Sequence, residues 1–216
     1  EPLSLDPPFV SLVASGGHTR LDLVTDYAHP RLLGQTRDDA AGEAIDKGAR
    51  LLGLGYPGGP ALERLAAQGD AGAFDFPVGL SGADQRDFSF AGVKTALLYR
   101  VRDLGEGAER VRADLAAAYQ EAIMRPLATR LVAAAVAHGV PTVAIGGGVA
   151  ANGRLRAMVS ELAEQRGVTV AFPPMALCTD NAAMIAAAAH FTQPVPWPDF
   201  LALDAVATAP PGGIAA

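Results

Sequence analysis

Phe9-Val10-Ser11-Leu12-Val13-Ala14-Ser15-Gly16-Gly17-His18-Thr19-Arg20-Leu21-Asp22-Leu23-Val24 decides the fold class. The first six residues form a near-continuous apolar run, as a strand buried on both faces requires. Ser15 to His18 is turn-like. Leu21 and Leu23 then alternate with Arg20 and Asp22, the period-two pattern of a second strand returning as a hairpin. Arg31 to Gln35 supplies a third short strand, so an all-α bundle is disfavoured from the start.

Outward from the hairpin, the chain turns helical. Asp38 and Asp39 open a helix that ends at Gly53 or Gly55, with Ala44, Ile45, Ala49, Leu51 and Leu52 as its apolar surface and acids suited to its first turn. Tyr56 to Pro60 is a turn, and Pro60 is placed as the first residue of the next short helix. A loop from Gly69 to Asp87 precedes a helix from Gly92 to Asp103. Glu106 to His138 is helical in pattern, with Pro126 expected to kink or split it. Thr142 to Ile145 reads as a buried strand, Arg154 to Arg166 as a helix, Val168 to Phe172 as a strand and Thr179 to Phe191 as a helix. Three strands, a helix and then strand–helix alternation predict an α/β domain with a mixed sheet. Residues 1–8 read as an extended leader, 9–191 as the folded lobe, and 192–216, dense in Pro and Gly, as a loosely ordered tail.

The chain has 216 residues, half of them hydrophobic, enough for a substantial core. Its net charge of −6 argues against binding nucleic acid by bulk positive charge, though not against a local basic patch. One cysteine, Cys178, excludes an internal disulfide and suits a reducing compartment. Glu1 to Asp6 lacks the basic start and apolar run of a signal peptide, and no apolar run approaches the roughly 20 residues that span a bilayer. These features predict a soluble, cytoplasmic protein with no membrane partner.

Several stretches could carry chemistry. Ser15-Gly16-Gly17-His18-Thr19 offers exposed N–H groups and two hydroxyls, as a phosphate loop does, and equally suits an ordinary glycine hairpin. Asp39, Glu43 and Asp46 fall at helical spacing on one stripe. Such a stripe could accept hydrogen bonds from ribose hydroxyls, or be a solvated face that Lys47 partly neutralises. Gly146-Gly147-Gly148 follows a strand and leads to Asn152, which could contact a base or ribose, or cap the next helix. Asp180, in Cys178-Thr179-Asp180-Asn181-Ala182-Ala183-Met184, could ligate a metal or cap a helix. Cys178 suits a small core residue better than a nucleophile. Lys94 could reach phosphate or only solvate a helix turn, and Arg100, Arg102, Arg110 and Arg112 form one local basic cluster. No Ser–His–Asp or Cys–His arrangement is present to support a covalent intermediate.

Taken together, LVASGGHTRL, DDAAGEAIDKGARLLGLGYPGGPALERLA, FSFAGVKTALL, AIGGGVAANGRLR and LCTDNAAMIA resemble the universal tRNA threonylcarbamoyladenosine-synthesis family, long mislabelled as an O-sialoglycoprotein endopeptidase. The resemblance extends from Phe9 to about Ala187. It implies the actin/sugar-kinase/Hsp70-like α/β fold, with a mixed sheet flanked by helices, and an acyltransferase. That enzyme moves a threonylcarbamoyl group from threonylcarbamoyl-AMP to the exocyclic amine of the adenosine 3′ of the anticodon in tRNAs reading ANN codons.

By the same resemblance, Val13, Ala14, Ser15, Gly16, Gly17, Asp46, Gly59 and Asn152 line the site for the adenylate or ATP. Asp180 is then a ligand of one Fe(2+) or Zn(2+) ion, and the partners are tRNA, a scaffold paralogue and a small ATPase. Individual catalytic residues are not assigned. The sequence departs from the family in lacking an earlier lobe with its own phosphate loop and an HxxxH pair. Residues 9–191 therefore correspond to a second lobe with an incomplete metal site. The alternatives are a non-catalytic nucleotide- or partner-binding lobe, and a carbohydrate or acetate-type kinase, which should lack DDAAGEAIDK and CTDNAAM.

Overall fold

In the computed structural model, residues 5–82, 84–192 and 194–202 are described. The hairpin forms as expected: β1 (Phe9–Ala14) and β2 (Thr19–Val24) are antiparallel, and β3 (Arg31–Gln35) continues on the far side of β2. β4 (Thr142–Gly146) and β5 (Thr169–Ala171) extend the sheet parallel to β1, giving the order β3-β2-β1-β4-β5. β1 is the central strand, which explains its apolar run: Val10, Leu12 and Ala14 are all fully buried. β2 is less simple than its alternation suggests. Asp22 is buried, and its carboxylate accepts from Nε and Nη2 of Arg20, both at 2.5 Å, so the pair enters the sheet face together.

Among the described residues the chain also forms six helices. α1 (Ala41–Leu51) begins later than the Asp38-Asp39 start expected of it. Its Ala41 N–H is accepted by the Thr19 hydroxyl at 2.8 Å, so β2 supplies the cap. Asp38 serves a different helix: its Oδ1 accepts from the N–H groups of Phe90 (2.7 Å) and Ala91 (3.2 Å) at the start of α3 (Ala91–Leu104). α2 (Gly58–Ala66) starts two residues before Pro60, with the free N–H of Gly58 accepted by Asp46. A 3-10 turn, Gly105–Val111, leads into α4 (Arg112–His138), which packs against α1, α2 and α5 (Gly153–Glu164).

α4 is not split at Pro126. An interior proline costs roughly 3 kcal/mol. Burying Leu115, Tyr119, Ile123, Leu127 and Leu131 outweighs that, since each large apolar side chain contributes roughly 1.5–3 kcal/mol.

α6 (Ala182–His190) starts after the expected Thr179, and its cap is Asn181, whose Oδ1 accepts the Met184 N–H at 3.0 Å; Asp180 does not cap it. Every residue of α6 is exposed, although Met184, Ile185 and a run of alanines make it apolar. The architecture is the α/β lobe expected from the resemblance, a mixed sheet flanked by helices. Among the described residues no helix is long and apolar enough to cross a membrane. Residues 1–4 of the leader, and Gln193 and 203–216 of the expected tail, lie outside the described residues; Asp199–Ala202 forms a short 3-10 turn.

Candidate functional site

β1 and β4 run parallel side by side, and both chains leave the sheet at their carboxyl ends through glycine-rich turns. Open α/β sheets bind ligands at such a place. A cleft of about 340 Å³ lies there. One wall is the α1–α2 corner, with Ile45 and Asp46 from α1 and Gly59, Pro60 and Glu63 from α2. The 3-10 turn Gly148–Ala151, Asn152, Gly16 of the hairpin and Thr179 also contribute to its lining.

Two glycines make this convergence sterically possible. Gly147 has φ of +87°, and a Cβ on it would stand 2.3 Å from the Ala14 carbonyl oxygen. A Cβ on Gly42 would stand 2.7 Å from the backbone of Ser15 and Gly16, where the Gly42 N–H also bonds the Ser15 carbonyl at 3.0 Å. The first holds β4's exit against β1; the second brings the α1 N-terminus onto the hairpin turn.

The hairpin turn spends part of its donor capacity on itself. Ser15 Oγ accepts from the N–H groups of Gly17 (3.3 Å) and His18 (3.0 Å), and the Ser15 N–H bonds the His18 carbonyl at 2.8 Å. The Gly16 N–H has no partner among the described residues. Of the expected loop residues, Gly16 alone lines the cleft; Val13 and Ala14 end β1 beneath it, and Ser15 and Gly17 shape the turn.

The acidic stripe does not survive folding as one surface. Because α1 begins at Ala41, Asp39 lies off the helix and between two lysines, with Lys47 Nζ at 3.0 Å and Lys94 Nζ at 2.8 Å. Burial alone would raise the Asp39 pKa, but the hydrogen bonds from Lys94 and Lys47 outweigh it and hold the carboxyl below its ordinary value. Glu43 also pairs with Lys47, at 2.7 Å. Lys94 is thereby a structural ion-pair partner. Only Asp46 faces the cleft: its Oδ1 accepts the Gly58 N–H at 3.0 Å, and its other oxygen has no partner among the described residues. Beneath α1, the Tyr119 hydroxyl donates to the Ala44 carbonyl at 2.7 Å, and burial pushes its phenol pKa well up.

Asn152 takes the capping role of the two left open for it. Its Oδ1 accepts the Leu155 N–H at 3.0 Å, capping α5, while Nδ2 donates to Gln120 Oε1 at 3.0 Å. It is nearly buried yet lines the cleft. Glu63 Oε1 accepts the Gly153 N–H at 2.7 Å and so ties α2 to the N-terminus of α5. Sequence reasoning missed Glu63 and Thr179 as cleft residues. Glu63 could have been found, since it lies four residues after Gly59, one turn along the same helix face.

Asp180 is exposed and follows Thr179 at the cleft's edge. Among the described residues, no three His, Cys, Asp or Glu side chains converge as metal ligands. One exposed carboxylate does not fit a resident iron or zinc ion, which asks for three or four donors. Cys178 is a core residue, 2% exposed. In the basic cluster, Arg100 lies over the Phe74 ring at 5.6 Å and Arg112 pairs with Glu109 at 3.1 Å, which are ordinary surface contacts.

The TsaD family, described as tRNA N6-adenosine threonylcarbamoyltransferase, matches residues 1–187. Proteins of that name share 52% identity over 192 residues in Nostoc punctiforme (86% of this chain, 55% of that protein) and 54% over 196 residues in Thermosynechococcus vestitus (87% and 56%). In Methylibium petroleiphilum the figure is 55% over 194 residues (87% and 55%). Among solved structures, the crystal structure of T. kodakarensis HypF matches with a TM-score of 0.45 and 26% identity, over 67% of this chain and 18% of that one. The chain spans about half the length of the curated relatives it matches. On the family match and these identities, the chain belongs to the tRNA N6-adenosine threonylcarbamoyltransferase family.

Proposed function

We propose that this chain forms one wall of the adenylate site of an enzyme that transfers a threonylcarbamoyl group from threonylcarbamoyl-AMP to the exocyclic amine of an adenosine in tRNA. The observation that carries this reading is the convergence of Gly16, Asp46, Gly59 and Asn152, drawn from separate stretches of sequence, on one cleft at the carboxyl ends of β1 and β4. Identities above 50% to relatives named for this activity supply the reaction. The kinase alternative is disfavoured because DDAAGEAIDK and CTDNAAM are both present.

In this reading the free oxygen of Asp46 accepts a hydrogen bond from a ribose hydroxyl. Gly16 and Gly59, lacking Cβ atoms, let the adenylate lie against bare backbone, with the Gly16 N–H as a donor toward it. The amine nitrogen forms a bond to the carbamoyl carbonyl carbon, the bond from that carbon to the AMP oxygen breaks, AMP leaves, and the amine gives up a proton. The chain's own contribution is to hold the adenylate in line for that attack, which converts an encounter into a positioned reaction. The wholly exposed, apolar α6 supports assembly with further polypeptide, since an apolar helix face gains from being covered. We assign tRNA, a scaffold paralogue and a small ATPase as the partners of the assembled enzyme.

The test is transfer of radiolabelled threonylcarbamoyl from its adenylate to an ANN-reading tRNA. It uses this chain combined with the portion of a relative that this chain does not cover. Label should enter the tRNA only with both components present and should fall sharply in Asp46→Asn. Equal transfer without this chain would refute the proposal.

A further inference from the structure

We infer that Arg156 is a positioning residue that clasps two chain segments lining the cleft, the Gly148–Asn152 turn and the stretch that carries Thr179; this rests on the adenylate reading above. Arg156 sits in the first turn of α5, and no carboxylate pairs with it among the described residues. Its guanidinium is committed to main chain and sulfur. Nε donates to the Ala150 carbonyl at 2.6 Å, and Nη2 donates to the Pro173 carbonyl at 2.8 Å and to Cys178 Sγ at 3.4 Å. The same group lies 5.0 Å above the Phe172 ring.

Ala150 is buried in the 3-10 turn whose Gly148, Val149 and Ala151, with Asn152 after them, line the cleft. Pro173 and Cys178 belong to the segment that leaves β5 and delivers Thr179 to the cleft, with the exposed Asp180 next in sequence. Apart from Cys178 in the core and Phe172 packed against it, that segment has little to fix it: β5 is three residues long, and Met175, Leu177, Thr179 and Asp180 are exposed. A planar guanidinium can serve acceptors in both segments at once, whereas an ammonium offers a single point of charge. Charged donors also make the stronger hydrogen bonds. The side chain therefore sets the separation between the Gly148–Asn152 turn and Thr179, and with it the shape of the cleft.

The chain's single cysteine makes the test specific, because thiol labelling reports on this segment alone. Arg156→Met keeps an apolar stem but has no donor. Its Cys178 should react with a thiol–disulfide reagent at least roughly tenfold faster than in the wild type, the change expected from losing even one hydrogen bond from a charged donor, about 1.5 kcal/mol. Its affinity for ATP, measured by calorimetry on the same protein, should fall by a similar factor. Arg156→Lys should lie between the two. Leu97→Ala, a core truncation in α3, shows what general destabilisation alone does to labelling.

Labelling of Arg156→Met no faster than that of wild type or Leu97→Ala overturns the clasp. Faster labelling with unchanged ATP affinity overturns its link to the cleft. If the wild type binds no ATP, the adenylate reading fails, and the labelling comparison alone decides whether Arg156 positions the segment.

Discussion

Replacing Asp46 separates its two jobs, because its two oxygens face different partners. Oδ1 accepts the Gly58 N–H at 3.0 Å, one of the donors left over at the start of α2, while the second oxygen is free to meet a ligand in the cleft. Asp46→Ala removes both. Losing an acceptor of this kind at a helix start costs about 1 kcal/mol, within a range of about 0.5–2. For a chain of this size that lowers Tm by roughly 2–4 °C. Asp46→Asn keeps a carbonyl oxygen for Gly58, so its Tm should stay within about 1 °C of wild type. It loses the charge, however, and a hydrogen bond to a charged acceptor is worth about 1.5–3 kcal/mol. The Kd for ATP should therefore rise by roughly tenfold to 150-fold in Asp46→Asn. Thermal melts and calorimetric titrations of the three proteins provide the comparison. Asp46→Asn binding ATP as tightly as wild type would refute the ligand role, and Asp46→Asn melting as low as Asp46→Ala would refute the division of labour.

Further consequences concern the backbone, pH and metal. Gly147→Ala places a Cβ 2.3 Å from the Ala14 carbonyl at a φ of +87°; strain and overpacking together should cost about 3 kcal/mol or more, a fall in Tm of at least about 6 °C by thermal melt. Asp39 has a folded pKa below its unfolded one, so its contribution is present above the unfolded value, about 3.9, and is lost as pH falls through the folded value. The stability advantage of wild type over Asp39→Asn in denaturant melts should hold at pH 7 and shrink below about pH 4; a constant gap would contradict it. Elemental analysis of the purified chain should find no stoichiometric iron or zinc, since one exposed carboxylate makes a weak site; a tightly held ion would overturn that.

The sheet was legible because its signals are local. A strand covered on both faces must be nearly continuous in apolar residues, and Phe9–Ala14 is, with Ser11 as its one polar residue. What escaped the sequence depends on where chains meet. Asp38 looks like a first-turn acid of α1, but it caps α3, more than fifty residues away, because the Phe90 and Ala91 N–H groups arrive beside it. Asp39 shares a helical stripe with Asp46 only if the helix starts early; Thr19, capping from β2, starts it at Ala41 and leaves Asp39 to the lysines. Asn152 read equally as cap or ligand contact, and folding gives it the cap while leaving it at the cleft. Glu63 and Arg156 lie inside stretches that carry the family resemblance, but their roles were hidden, since their partners, the Gly153 N–H and the carbonyls of Ala150 and Pro173, are backbone atoms that no side-chain pattern reveals.

The most direct measurement follows the backbone amides of the isotopically labelled chain by NMR while a stable threonylcarbamoyl-AMP analogue is added. The account predicts saturable shifts concentrated at Gly16, Asp46, Gly59 and Asn152, with Gly82, which lines a separate groove beside Pro126 and Arg130 of α4, unmoved. No shift at millimolar analogue, or shifts gathered away from the cleft, would contradict it.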